Sequence, residues 1–153
     1  MRKVVWIAST VAAVGLLALG AAACGGGGGG DQLTAEEYGA ELSSICEGFN
    51  AAQEEIGEPQ SIDDVAEFGG QILDAFDEAI ASVEELEPPD ELADTADEFI
   101  AKGKEQRDLL SQVVDAAEEG DQERVAELSE QGSQLDEESD ALATELGAPA
   151  CTE

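Results

Sequence analysis

"TAEEYGAELSSICEGFNAAQEEIGEP", Thr34 to Pro59, decides the fold class. Tyr38, Leu42, Ile45, Phe49, Ala52 and Ile56 recur at alternating steps of four and three residues. That spacing puts them on one stripe of an α-helix that faces a bundle. Thr34 is a good N-cap, and Glu37 completes a capping box with it. Gly57, Glu58 and Pro59 then stop the helix.

The chain downstream has the same character. Ser61 can cap a second helix, with Asp63 and Asp64 suiting its positive end. Val65, Phe68, Ile72, Phe76, Ile80 and Val83 form that helix's apolar face. Pro88 and Pro89 end it and restart the chain, and Asp90 and Glu91 suit the start of a third helix. The third runs through Leu92, Ala96, Phe99, Leu110, Val113 and Ala117. Gly120 and Asp121 supply a turn and an N-cap. The fourth carries Val125, Leu128, Leu135, Leu142 and Leu146, with Gly132 and Ser139 filling the intervening stripe positions, and Gly147 and Pro149 stop it. No strand-like alternation occurs. Connections this short join antiparallel neighbours, so residues 34–153 are expected to form an all-α, up-down-up-down four-helix bundle.

Its core is thin, with four Phe and one Tyr in the whole chain. Gly69, Gly70, Gly103 and Gly132 fall inside expected helices, each costing about 1 kcal/mol relative to Ala. They suit either tight helix crossings or, at Gly69–Gly70, a kink that opens a ligand cavity.

Upstream of the bundle the composition changes. Residues 1–30 contain no acid, and Arg2 and Lys3 precede an apolar run from Val4 to Leu19. Gly20 to Ala23 is a run of small residues. This is the layout of a secretory signal peptide over residues 1–23. The junction has three readings. The small residues suit ordinary A-x-A cleavage; they also resemble a lipobox before Cys24, with Ala21 where that motif usually has Leu; and an uncleaved apolar segment can span a bilayer. The six glycines Gly25–Gly30 favour the lipobox, because a flexible tether has an obvious use beside a lipidated residue. Cys24 is therefore the expected lipid anchor, and residues 24–33 the tether. Gly25 to Leu33 averages roughly 15–18 Å as a coil, which holds the bundle close to the outer face of the cell membrane.

With Cys24 assigned to the anchor, Cys46 and Cys151 remain. An exported chain meets an oxidising environment, and an even count suits a bridge. In an antiparallel bundle the end of the fourth helix lies near the start of the first, and "GAPAC" is long enough to fold back to Cys46. A Cys46–Cys151 disulfide closes a loop of roughly a hundred residues, contributing about 4–5 kcal/mol in the chain-entropy model; two free thiols are the alternative.

The chain carries 37 acids against 6 bases, a formal net charge of −31. Arg2 and Lys3 apart, the bases are Lys102, Lys104, Arg107 and Arg124. Such a surface repels nucleic acid and anionic headgroups and attracts cations or a basic protein face. It also suits high salt, where self-repulsion is screened. The absence of histidine removes Ser-His and Cys-His nucleophile pairs, His-based zinc sites and the Glu-x-x-His di-iron centres that suit helical bundles. The polyglycine run lacks the Lys-Ser/Thr ending of a phosphate loop, and no D-x-D-x-D-G calcium loop occurs. Paired carboxylates such as Glu54–Glu55 and Glu137–Glu138 are too abundant to mark an acid–base site. No catalytic residue, metal site or cofactor is expected.

"ICEGFN" (Ile45–Asn50), "LEPPDEL" (Leu86–Leu92), Gly120–Asp121 and "LGAPAC" (Leu146–Cys151) together resemble small helical exported lipoproteins of high-GC Gram-positive, actinobacterial type. The resemblance spans most of the chain after Cys24 and implies an exported lipoprotein with a Cys46–Cys151 bridge; it brings no activity and no catalytic residues. The expected function is a non-catalytic, membrane-anchored module that binds a protein or cell-wall partner. The alternative is low-affinity binding or buffering of Ca²⁺ or Mg²⁺ by clustered carboxylates.

Overall fold

A computed structural model describes residues 33–152; the expected signal peptide, Cys24 and the expected tether up to residue 32 lie outside the described residues. Within them the chain is helical with no strand: α1 Ala35–Ile56, α2 Ile62–Glu84, α3 Ala93–Glu118, α4 Gln122–Glu145, and a 3-10 turn at Pro149–Cys151. Local chemistry sets most boundaries. The Thr34 hydroxyl accepts from the Glu37 N–H, and the Glu37 carboxylate accepts from the Thr34 N–H at 3.0 Å. The Thr34 hydroxyl and N–H donors hold that carboxylate below its ordinary pKa. Ser61 and Asp121 cap α2 and α4 in the same way, accepting from Asp64 and Arg124. Gly147, at φ 73°, turns the chain out of α4 into a conformation that disfavours side chains, and the Ala148 N–H closes the turn on the Ala143 carbonyl at 2.9 Å. Only α3 begins later than its sequence suggests. Pro89 to Leu92 form a turn, so Asp90 and Glu91 precede the helix, which starts without a side-chain cap.

Adjacent helices run antiparallel, and cross-helix pairs show the register. Glu84 and Asp77 of α2 meet Lys104 and Arg107 of α3, at 2.6 and 2.8 Å. Lys102 and Gln106 of α3 meet Glu138 and Asp136 of α4, at 2.8 and 2.7 Å. The bases of α3 thus tie it to both neighbours. Each such exposed pair is worth little alone, but α3 is the one helix that neutralises acids on either side. Leu109 of α3 lies 3.6 Å from where a Cβ on Gly132 would sit, and Val114 is pressed against Gly69 of α2.

Val114, Ala116, Ala117 and Leu128 are buried near the α3–α4 turn, and a second buried group lies at the end where α1 begins and α4 finishes. Tyr38, Leu42, Val83, Ala96, Leu146 and Ala148 form one buried cluster, with Leu33, Leu86, Leu92 and Cys151 packed on it. Burying a Leu or an aromatic of this size contributes about 1.5–3 kcal/mol. Burial, with the Asp97 carboxylate facing it, also pushes the Tyr38 phenol above its ordinary pKa. Gly39 makes this closure possible: a Cβ there would sit 2.7 Å from the carbonyl oxygens of Leu146 and Gly147. The core cluster, all three interhelical connections and the bonded cysteines lie within 33–152, so the contacts described hold this span together from within.

Candidate functional site

Closure does not continue along the bundle. α1 packs on α2 and on the terminal 3-10 turn, but not along α4. Charge opposes contact between α1 and α4, as it does between α1 and the equally acidic α2, which apolar packing nevertheless joins. α1 bears Glu36, Glu37, Glu41, Glu47, Glu54 and Glu55 with no base. α4 bears Glu123, Glu127, Glu130, Asp136, Glu137, Glu138, Asp140 and Glu145 against Arg124 alone. Like charges at this density keep the two helices apart wherever no apolar contact overrides them.

A covalent bond adds to the apolar contact that joins α1 to the end of α4. Cys46 and Cys151 are disulfide-bonded, with Cα atoms 5.1 Å apart. The Asn50 amide adds a hydrogen bond to the Ala150 carbonyl at 3.2 Å. "GAPAC" folds back as its length allowed, and the bridge stands at the edge of the gap rather than inside the core.

The gap is a cleft of about 400 Å³. Its walls differ in kind. Ile45 and Phe49 of α1, Phe76, Ile80 and Val83 of α2, and Phe99 and Ile100 of α3 form an apolar wall. Phe49 and Phe76 meet edge to face, ring centroids 4.7 Å apart, an arrangement aromatic pairs favour. None of Phe49, Phe76 and Phe99 is fully buried; each is partly covered, Phe99 by packing on the core cluster. Opposite them α4 presents Asp136, Ser139 and Asp140, at i, i+3 and i+4 and so on one helix face. The Asp136 carboxylate accepts from the Gln106 amide. Ser139 is 6% exposed and its hydroxyl has no hydrogen-bond partner.

The remaining sequence expectations fall elsewhere. α2 is helical without a break across Gly69 and Gly70, and neither glycine lines the cleft. Gly69 serves close packing on Val114, while a side chain on Gly70 would point into open space, so of the two readings the tight crossing holds at Gly69 and no ligand cavity opens at this pair. Among the described residues no three acids or cysteines converge into a group that could hold a metal ion. No described helix is long and apolar enough to cross a membrane. The cleft itself is not visible in the sequence, because Phe49, Phe76 and Phe99 have the spacing of ordinary core residues. The available signal was indirect: an acidic first helix opposite an acidic fourth. Comparisons with protein-family models, with curated proteins and with solved structures find no match for this chain.

Proposed function

We propose that the chain is a non-catalytic, extracytoplasmic lipoprotein, anchored through Cys24 at the outer face of the cell membrane, that binds its ligand in the α1–α4 cleft. The observation that carries the reading is three incompletely buried phenylalanines along one wall of a 400 Å³ opening. A small domain with so few aromatics gains most by burying them, since each full burial is worth about 1.5–3 kcal/mol. Leaving them in contact with water costs stability that a ligand entering the cleft returns. The volume falls within the range of small-molecule sites. Export and anchoring rest on Arg2–Lys3, the apolar run and the Cys24–Gly30 junction; a binding role fits a domain held on a short tether.

The test is titration of the disulfide-intact 33–152 bundle with the neutral dye N-phenyl-1-naphthylamine, whose fluorescence rises in apolar surroundings. Saturable binding at a single site is expected. Gly103→Leu places a side chain into the cleft from α3, where a Cβ meets only Ile80 at 3.8 Å. It should abolish dye binding with no loss in melting temperature. Absence of saturable binding, or binding untouched by Gly103→Leu, overturns the reading.

A further inference from the structure

We infer that the cleft takes a small cationic amphiphile, an apolar body carrying one ammonium group; this rests on the cleft being the binding site. The two walls supply the argument. An occupant must offer apolar surface to Phe49, Phe76 and Phe99, and something else to the stripe of Asp136, Ser139 and Asp140 across from them.

Charge selects that second part. Among the described residues, Asp136 and Asp140 are the only charged ones lining the cleft. Every described base is engaged elsewhere: Lys102 with Glu105 and Glu138, Lys104 with Glu84, Arg107 with Asp77, Arg124 with Glu127. An anionic head group would meet two carboxylates and no cation. One amide bond from Gln106 leaves most of the acceptor capacity of Asp136 unused. An ammonium gains from both carboxylates, and more where the cleft excludes water. The faces of the phenylalanine rings attract cations as well.

Ser139 is the independent observation. Three hydroxyls are buried without a partner among the described residues, those of Tyr38, Ser43 and Ser139, and only Ser139 lines the cleft. A buried hydroxyl left unpaired is costly. Here it stands on the same helix face as two carboxylates, its oxygen covered until the side chain turns toward the cleft. Ser139 thus adds a third hydrogen-bonding group to the acidic wall at a position where the α4 stripe would otherwise be apolar.

The test displaces N-phenyl-1-naphthylamine from the 33–152 bundle at neutral pH with octylamine, octanol or octanoate, which share one chain and differ in the charge of the head. Octylammonium should displace the dye at about tenfold lower concentration than octanoate, with octanol between them. The double variant Asp136→Asn/Asp140→Asn should bring octylammonium and octanoate to within about threefold of each other while leaving displacement by octanol unchanged. Dye binding with equal displacement by all three overturns the cationic inference and leaves the cleft reading standing. A preference for octylammonium that survives in the double variant also overturns it, because the selectivity would then come from the acidity of the whole surface. Failure of the dye itself to bind removes both.

Discussion

The two halves of α1 carry one apolar stripe but meet different surroundings. In the first half Tyr38 and Leu42 are fully buried, and Gly39 brings the helix backbone against the carbonyls that end α4. In the second half Ile45, Phe49, Ala52 and Ile56 keep the same spacing and are only partly covered. The changeover comes near Cys46, where the disulfide ties α1 to the last turn of the chain. A stripe therefore determines which face of a helix turns inward. Whether anything covers that face depends on the opposite helix, and here the opposite helix is acidic. The closed end has apolar contact, a glycine and a covalent bond to overcome the repulsion; the open stretch has none of them.

The largest expected effect comes from removing the bond at the boundary. Replacing both Cys46 and Cys151 by Ser should lower unfolding free energy by about 4–5 kcal/mol in urea titrations, a large part of the 5–15 kcal/mol typical of small domains. A shift below about 1 kcal/mol would mean that apolar contact closes this end unaided. Next in size is Gly39→Ala. Its Cβ would collide with backbone carbonyls that cannot swing aside, so a loss of about 2–3 kcal/mol is expected. Gly48→Ala, in the open half of the same helix, should have the opposite sign. A Cβ there meets nothing within 4 Å, so the better helix former gains up to about 1 kcal/mol. Equal outcomes at the two glycines would break the comparison.

Salt sharpens it from another direction. Raising NaCl screens the acids of α1 and α4, so the melting temperature should rise, whereas a bundle held chiefly by its ion pairs would lose stability. The smallest effect belongs to Arg107→Ala. Hydrogen bonds from Arg107 hold the Asp77 carboxylate below its ordinary pKa. That contribution is present above the ordinary carboxylate pKa and disappears as pH falls through the lowered one. The difference in melting temperature between wild type and Arg107→Ala should therefore be small at pH 7 and shrink in acid.

Features that depend on neighbours in sequence were legible before the structure. Thr34 with Glu37, Ser61, Asp121 and Gly147 mark helix ends through local hydrogen bonds and backbone conformation, and each does so in the fold. The Cys46–Cys151 pairing could also be argued, because cysteine parity and short connections leave few choices. α3 was read less completely. Val114 and Ala116 are buried beside Ala117, since a helix packed on both α2 and α4 buries more than one stripe, and a single stripe is all that periodicity displays. Gly39 escaped because its role depends on a carbonyl more than a hundred residues away along the chain. The cleft escaped for a related reason: it arises from a helix pair that does not form. The anchor at Cys24 lies outside the described residues, and its check is the intact mass of the protein extracted from native membranes. A chain beginning at a diacylglyceryl-modified Cys24 is expected, with two alkylations appearing only after reduction; retention of residues 1–23 would remove the anchor.

The bridge between Cys46 and Cys151, 105 positions apart, has a topological consequence for a cut chain. The connections after α1, α2 and α3 all lie between the two cysteines, so the bonded chain is a covalent ring with a short stem at its first helix. Exposed turns are where proteases cut first. A single cut at Gly57–Gln60, at Glu87–Pro88 or at Gly120 opens the ring without releasing any piece of it. The nicked bundle would keep every helix attached to the stem and stay where the stem is held.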